Sequence, residues 1–251
     1  MITTPVDGAS RPTAGALRLA EARTENPLGV DTNGYLAGLH EHCPFLRPST
    51  RRGMTGWTVY EITPGSHRYA VEAELFYAGV QAAEWVRPLM GRPYGVLACE
   101  NVVLLGHCEG ADHRELLTWP HWALKNLYAQ VGIMFGKFAQ GAVETGRRGQ
   151  SIPPPPFSFL PVRAGVRPLD PKFLETTPDL ATALSVAVDD GRDVFEHIPC
   201  EWKAVREWAS SLPLPQPRLR PRRQPADRST WRRSATGGAR RSGRPVVRAG
   251  R

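Results

Sequence analysis

The sequence predicts a two-layer α/β (α+β) domain, in which helices pack on a mixed sheet of about four to five strands. Strand-like and helix-like segments alternate between residues 26 and 212. Within this range, two strand-like segments also follow one another without a helix between them. The chain has 251 residues and is 41% hydrophobic. One ordinary domain with a buried core and extended termini is therefore expected.

Four segments are predicted to be strands, because β-branched, aromatic and other apolar residues are grouped between turn formers. They are TGWTVYEI (55–62), GVLACENVVLL (95–105), VGIMFGKF (131–138) and IPPPPFSFLPVRAGVRPLDPKFL (152–174). The second is one long strand or a strand pair, and prolines guard the ends of the fourth.

Five segments are predicted to be helical. Apolar residues three or four apart indicate an amphipathic helix over 72–90, which Ser66 would cap and which Gly91 and Pro93 would end. The other four are a short stretch near 32–42, residues 113–129 with Pro120 in the first turn, a helix opened by Thr177 and Pro178, and a last helix after Pro199 that groups Trp202, Val205, Trp208 and Leu212.

The two ends of the chain differ from the domain in composition. Residues 1–25 are rich in Thr, Pro, Gly and Ala and are predicted to be a flexible arm, while residues 213–251 are predicted to be a disordered, arginine-rich tail. Residues 217–251 hold twelve arginines and one acid, a formal charge of +11, whereas the other 20 basic and 23 acidic residues give −3. The basic character of the protein thus belongs to its tail.

Three interpretations of this tail remain open. A basic arm binds nucleic acid or acidic partners, although charge alone gives weak and nonspecific affinity. The tail is otherwise a solvated extension without a partner. Arginine without lysine, mixed with Pro, Gly, Ala and Ser, is also what GC-rich codons give in any reading frame, so out-of-frame translation is the third interpretation.

Several classes of protein are disfavoured by the sequence. The longest apolar stretches are far shorter than the roughly 20 residues that span a bilayer, and the N-terminus shows no secretory signal. The cysteines Cys43, Cys99, Cys108 and Cys200 are scattered, with no C-x-x-C pair. We therefore expect a cytoplasmic protein with reduced thiols and no membrane contact. No standard catalytic signature is present, and no particular cofactor is indicated.

The segment HEHCPFLRP (40–48) holds the first candidate site. His40, His42 and Cys43 are ligand types for zinc or another transition metal, and any one of them would suffice as an axial haem ligand. Their spacing fits no standard metal motif, however. The alternative is a helix exit, in which histidines lie near the last carbonyls and Pro44 forces a turn. Cys43 with His42 is also a candidate nucleophile and base, but adjacent side chains of an extended segment point apart, so another histidine would have to act as the base. The alternative is an inert buried thiol.

Two further candidates involve charged residues in strand-like segments. Arg163 and Arg167 are four apart in extended chain and project to one side, where they would clamp a carboxylate or phosphate. Asp170 would instead form a structural ion pair with one of them. Glu100 and Lys137 interrupt apolar runs, so they either meet in the sheet interior as an acid–base pair or both point to solvent, and strand periodicity favours the second alternative.

Three segments carry a resemblance to a known family. HCPFLRPS, VGIMFGKF and PPPPFSFLPVRAGVRPLDPKFL resemble motifs of the bacterial domain-of-unknown-function family six-eight-seven-five, over roughly residues 40–175. The resemblance implies a bacterial protein encoded near genes of specialised, antibiotic-type metabolism, and it places Cys43, Arg163 and Asp170 at motif positions. It implies no reaction, and the arginine-rich tail departs from the family pattern.

These observations lead to two main hypotheses of function, beside a third in which the protein is a structural partner that stabilises another enzyme through exposed Trp and Pro segments. The first is an accessory enzyme or small-molecule-handling protein that binds a small anionic ligand, with Cys43, His42 and Asp170 as candidate catalytic residues and Arg163, Arg167 and Lys137 as candidate ligand-binding residues. The second is a non-catalytic regulatory protein that contacts nucleic acid through residues 217–251. Whether the protein is an enzyme is left open by the sequence.

Overall fold

The computed structural model describes residues 15–145, 149–166, 170, 199 and 201–211, all within one compact unit that spans residues 1–216. Several predicted features lie outside the described residues: the helix opened by Thr177 and Pro178, the residues Arg167 and Leu212, and the tail. The strands are β1 (Leu17–Thr24), β2 (Thr55–Ile62), β3 (Cys99–Leu105), β4 (Ile133–Phe135), β5 (Glu144–Thr145), β6 (Ser151–Ile152) and β7 (Ser158–Ala164). The helices are α1 (Thr32–Leu39), α2 (Leu46–Thr50), α3 (Arg68–Val86), α4 (His113–Leu116), α5 (Thr118–Tyr128) and α6 (Trp202–Ser211).

Five strands form one mixed sheet in the order β1-β2-β3-β7-β4, and β5 and β6 form a separate two-stranded ladder. Only the β2–β3 pair in the large sheet is parallel, with Val59 opposite Val103, and α3 makes the crossover between these two strands. The other pairs in this sheet are antiparallel. The predicted α/β class and mixed sheet are thus confirmed.

Both faces of the sheet are buried in its centre. Val102, Leu104, Leu160 and Val162 belong to the main core, into which α3, α5 and α6 pack from one side. A smaller aromatic cluster lies on the opposite face, and it contains Tyr35 of α1, Trp57, Val59, Val103, Phe157 and Phe159. Because β3 is covered on both sides, its apolar run is nearly continuous rather than alternating.

The N-terminal segment corrects the predicted arm over residues 1–25. Leu17–Thr24 forms the edge strand β1, antiparallel to β2. Its start is held by Glu74, whose carboxylate accepts hydrogen bonds from the backbone of Ala16 at 2.6 Å and Leu17 at 2.7 Å. The prediction was wrong here because Thr24 is the one β-branched residue of this strand, and pairing with β2 rather than local propensity decides its conformation.

Helix α3 confirms that the segment predicted over 72–90 is helical, but it begins and ends four residues earlier, at Arg68 and Val86, and a 3-10 turn follows at Arg87–Leu89. Its predicted cap is wrong. The side chain of His67, not Ser66, accepts a hydrogen bond from the Tyr69 backbone N–H, at 3.2 Å. The Ser66 hydroxyl instead donates to the Ala16 carbonyl at 3.4 Å, next to β1. The predicted strand at 95–105 is also shortened, because Gly95–Leu97 forms a 3-10 turn before β3.

The remaining predicted elements that lie in the described residues are confirmed in outline. Pro120 is in the first turn of α5, where its missing N–H costs no helical hydrogen bond. Of the segment over 152–174, Ser158–Ala164 is β7. No helix in the described part of the chain is long and apolar enough to cross a membrane.

Helix α6 is attached to the core by apolar side chains and by the charged side chain of Arg206. Val205 is fully buried, and the Trp202 ring lies 5.6 Å from that of Phe76. Arg206 forms an ion pair with Glu72 of α3, which is fully buried and also accepts from Arg68 Nε at 2.8 Å. The carboxylate of Glu72 therefore joins the two helices.

Candidate functional site

A cavity of about 170 Å³ lies between the edge strand β1, strands β2 and β3, and the C-terminal half of α3. Its apolar wall includes Ala78, Ala82 and Val102, while its polar groups belong to Arg23, Thr58, Tyr60, Gln81 and Glu100. Arg23 and Gln81 are exposed, whereas Glu100 is only 1% exposed. Glu100 thus forms the floor of a cavity that opens to solvent beside β1.

Glu100 reaches this floor because the sheet holds it on the same face as the core residue Val102. Thr58 of β2 donates its hydroxyl hydrogen to Oε1 of Glu100. The other oxygen, Oε2, is buried and has no hydrogen-bond partner. A buried polar atom without a partner is uncommon in proteins and needs an explanation.

The position of Oε2 depends on Gly56. A Cβ added to this glycine would overlap Oε2, so any larger residue here would displace the carboxyl group. Gly56 and Glu100 are partners in the parallel β2–β3 ladder. The glycine therefore makes room in the sheet for a carboxyl group that the surrounding core does not otherwise accommodate.

Burial raises the pKa of the Glu100 carboxyl above its ordinary value, because ionisation in an apolar surrounding is costly. The hydrogen bond from Thr58 and the positive charge of Arg23 both act in the opposite direction, yet the net shift is upward. A carboxyl of this kind holds its proton to higher pH than an exposed glutamate. Raised pKa values at the floor of a cavity are typical of functional sites.

The edge strand is irregular where it borders the cavity. Its register with β2 shifts between Leu19 and Glu21 and again between Glu21 and Thr24. Within this stretch Arg23 has a φ of 40°, which is unfavourable for a residue with a side chain. Its backbone N–H donates to the Thr58 hydroxyl oxygen at 3.2 Å, and its guanidinium lies over the Trp85 ring at 5.5 Å. Bulges and strained residues of this kind are enriched next to functional sites.

A second cavity, of about 360 Å³, lies at the carboxyl end of β3, where open α/β sheets commonly bind ligands. His113 in its wall donates from Nε2 to the Gly106 carbonyl at 2.9 Å and accepts at Nδ1 from the Ser158 hydroxyl at 3.0 Å. The Gln140 backbone N–H donates to the same hydroxyl oxygen at 2.8 Å. The hydrogen-bonding groups of the His113 and Ser158 side chains are thus already paired within the protein, and Ser158 is fully buried. Neither side chain needs a ligand to complete its hydrogen bonds.

The histidines of the first predicted site lie where α1 ends. The backbone N–H groups of His42 and Cys43 both donate to the Leu39 carbonyl, at 2.9 and 3.1 Å, which is the geometry of a helix exit. His40 Nε2 and His42 Nδ1 are buried without partners. The described residues contain no group of three or more His, Cys, Asp or Glu side chains arranged to hold a metal. Metal binding at His40, His42 and Cys43 thus gains no support from the structure and stays a prediction.

Cys43 is half-buried and not in a disulfide. Its thiol makes no hydrogen bond to His42 in the described part of the chain, so the predicted nucleophile–base pair is not assembled there. The thiol of Cys99 lies close enough to Cys43 and Arg163 for their charges to affect it, and burial raises the pKa of Cys99 to about 12. A thiol that stays protonated to this pH is unreactive.

Arg163 and Asp170 form the ion pair that the sequence offered as the structural alternative. Arg163 Nη1 donates to Oδ2 of Asp170 at 3.0 Å and Nη2 bonds to Oδ1, while the Val166 backbone N–H donates to Oδ2 at 2.8 Å. The guanidinium also lies over the Phe45 ring at 4.2 Å. These contacts fasten the chain after β7 to the sheet. A clamp with Arg167 stays a prediction, since Arg167 lies outside the described residues.

Glu100 and Lys137 are not paired with each other. Lys137 Nζ donates to the Thr118 hydroxyl at 3.2 Å, and burial together with the nearby charge of Arg114 lowers the pKa of Lys137. The favoured expectation that both residues point to solvent is wrong for Glu100. Strand alternation did not exclude burial here, because both faces of β3 are covered.

Sequence reasoning missed the residues that surround Glu100. The sequence places Arg23 in the predicted arm, and it predicts Gly56 and Thr58 only as strand residues. The one available signal was Glu100 itself, an ionisable residue inside a long apolar run.

Comparisons with protein-family models, with curated proteins and with solved structures found no match to this chain. The resemblance to family six-eight-seven-five therefore stays a prediction. The fold and the site define a small α/β domain with a solvent-accessible cavity built around a buried carboxyl group.

Proposed function

We propose that this protein binds a small organic molecule in the cavity above Glu100. The observation that carries the proposal is that Glu100, whose Oε2 is buried without a hydrogen-bond partner, lines a cavity that opens to solvent. Leaving a buried polar atom without a hydrogen bond costs about 1–3 kcal/mol, so a ligand that bonds to this atom recovers that free energy. The cavity admits several water-sized groups, which suits a small ligand.

The proposal keeps the small-molecule class predicted from the sequence and moves the site from Arg163 to Glu100. Arg163 is the weaker candidate because its guanidinium already has a carboxylate partner in Asp170. An anion would have to displace that carboxylate before it could bind. A cytoplasmic location and a role in specialised metabolism are proposed only on the sequence arguments given above.

The experiment that tests the proposal uses the full chain and a panel of small probes: alkylamines, alkanols, alkanoates and ω-amino acids of two to five carbons. Binding is measured by ligand-observed NMR. The blocking variant is Ala22→Phe, because Ala22 is exposed and lines the mouth of the cavity. The matched control is Ala20→Phe, since Ala20 is an exposed alanine of the same strand that does not line the cavity.

We expect at least one probe class to bind the wild type and the Ala20→Phe control, and to lose binding in Ala22→Phe. If no probe binds, or if the two variants bind equally well, the cavity is not the ligand site.

A further inference from the structure

We infer that the ligand of the Glu100 cavity carries an amino group and a carboxylate at its two ends, the first binding Glu100 and the second binding Arg23. This inference rests on the proposed function and adds the chemical class of the ligand. It follows from the charges that line the floor and the mouth of the cavity.

The carboxyl group of Glu100, at the floor of the cavity, is best matched by a positively charged hydrogen-bond donor. Thr58 already bonds to Oε1 of Glu100, so the buried Oε2 is the acceptor that lacks a protein partner once the carboxyl is ionised. An ammonium group has three donors and no acceptor, and it fits an open carboxylate oxygen. A buried carboxylate is tolerated when an opposite charge lies against it with good hydrogen bonds.

None of the other described groups that line the cavity supplies a cation in contact with Glu100. From β1 comes Arg23, from β2 come Thr58 and Tyr60, and the polar residue that α3 contributes is the uncharged Gln81. Burial raises the pKa of the Tyr60 hydroxyl, so this group remains neutral. Arg23 is the one cation among these cavity-lining residues, and it forms no ion pair with Glu100. Within the described residues Glu100 therefore has no cationic partner in contact.

The guanidinium of Arg23, at the mouth of the cavity, is best matched by an anion. Arg23 is exposed, its guanidinium is steadied over the Trp85 ring at 5.5 Å, and none of the described carboxylates forms an ion pair with it. Its charge nevertheless acts on both Glu100 and Tyr60, so it lies within electrostatic range of the cavity. A guanidinium with open donors binds a carboxylate through two parallel hydrogen bonds.

A ligand with both groups satisfies both positions, whereas a ligand with one charge satisfies only one. A simple amine would meet the carboxylate but add a second positive charge near Arg23. A simple carboxylate would meet Arg23 but leave Oε2 without a partner. A zwitterion of matching length neutralises each protein charge separately, and the complex has no excess charge.

Binding then has a definite proton balance. Burial holds the pKa of Glu100 above its ordinary value in the empty cavity, and the ammonium group of the ligand favours the ionised carboxylate. Binding therefore lowers the pKa of Glu100 and releases to the buffer at most one proton per ligand, the proton of this carboxyl group. No covalent bond to carbon is made or broken.

The experiment is isothermal titration calorimetry of the full chain at several pH values from 4 to 7, at each pH in two buffers with different ionisation enthalpies. The probes are the ω-amino acids from glycine to 5-aminopentanoate, each compared with the alkylamine, alkanoate and alkanol of equal length. The dependence of the heat on the buffer gives the number of protons released per ligand.

We expect one length of ω-amino acid to bind at least about tenfold more tightly than its matched amine and alkanoate, with a proton release that rises and falls across this pH range. Glu100→Gln should abolish the proton release. Arg23→Gly should reduce the amino acid to the affinity of the amine, and glycine suits the positive φ at this position, so the variant is expected to fold. Arg18→Gln removes a positive charge from β1 away from the cavity and should change neither quantity.

Two outcomes overturn the inference, and they separate it from the proposed function. If alkanols or amines bind as tightly as the amino acids and no proton is released, the ligand class is wrong. Loss of that binding in Ala22→Phe would still support the cavity as the site. If no probe binds at all, the ligand class and the proposed function both fail.

Discussion

Gly56 of β2 and Glu100 of β3 are partners in the parallel ladder, and the carboxyl group of Glu100 occupies the space where a side chain at Gly56 would begin. The missing side chain of one residue thus sets the position of the buried carboxyl of the other. This relationship places an ionisable group on the core-facing side of the sheet, between α3 and the irregular edge strand.

Replacing Gly56 by alanine should destabilise the protein by about 1–3 kcal/mol, because its Cβ would overlap Oε2 of Glu100 and overpacking of this kind strains the core. The cost should fall by more than half in a Glu100→Ala background, where the overlapping atom is gone. Urea unfolding of the two single variants and the double variant measures this coupling.

The control for this cycle is Gly91→Ala. No atom lies within 4 Å of a Cβ added at Gly91, and its φ is not positive, so this change should be nearly neutral. An equal cost of Gly56→Ala in both backgrounds would show that the overlap with Glu100 is not what makes glycine necessary.

Glu100 should make the protein less stable as the pH rises. Its folded pKa is raised above the ordinary value of 4.5, so between these two values the folded state holds a proton that the unfolded state has lost. Stability is therefore fully present below about the ordinary pKa and declines towards the folded pKa, by at most about 1.4 kcal/mol per pH unit. Glu100→Gln removes this decline, because an amide has no proton to lose.

Urea unfolding of wild type and Glu100→Gln from pH 4 to pH 8 tests this point. Other titrating groups contribute to both curves, so the difference between the curves isolates Glu100. The variant should gain stability over the wild type as the pH rises. A difference that is flat, or that changes in the opposite direction, would mean that the folded pKa of Glu100 is not raised.

The ion pair between Arg206 and Glu72 should account for much of the attachment of α6. Arg206→Met leaves the fully buried Glu72 with Arg68 alone, and we expect a loss of about 2 kcal/mol in unfolding free energy. Arg206 remains 24% exposed, so solvent screening keeps the loss below that of a fully buried pair. Lys203→Met removes an exposed cation from the same helix and should cost less than about 0.5 kcal/mol. Similar losses in the two variants would contradict a specific role for the pair.

Arg163 and Asp170 are expected to serve stability rather than ligand binding. Side-chain exposures of 14% and 7% mark a largely buried pair, and Asp170→Asn should cost about 2–4 kcal/mol because it leaves the Arg163 guanidinium without its carboxylate. Thermal unfolding measures the loss, with Arg47→Met at an exposed position as control. If Arg163→Met left stability unchanged and abolished binding of a carboxylate probe, Arg163 would instead be an anion-binding residue, as the sequence hypothesis of an anion clamp proposed.

Much of the fold follows from local patterns in the sequence. The strand at Thr55–Ile62 is β-branched or aromatic at every position except Gly56 and Glu61. The helix over Thr118–Tyr128 tolerates Pro120 only because it lies in the first turn. The edge strand Leu17–Thr24 was not predictable in this way. Its conformation comes from pairing with β2 and from the hydrogen bonds of Glu74, which is distant in sequence.

The site is harder to predict than the fold for the same physical reason. Glu100 is conspicuous in an apolar run, but its direction depends on which faces of β3 are covered, and that is a tertiary property. Arg23 approaches the cavity only because β1 is irregular beside it. The pairing of Arg163 with Asp170 is local, seven residues apart, and was one of the two alternatives that the sequence offered.

The most direct test of the central claim is a carbon-13 NMR titration of the Glu100 carboxyl in the full chain, assigned by its loss in Glu100→Gln and repeated with each ω-amino acid present. The account predicts a pKa above the ordinary 4.5 in the empty protein, and a lower pKa when a binding probe occupies the cavity. A resonance that titrates at or below 4.5, and that none of the probes changes, would contradict the claim that Glu100 is the floor of a ligand site.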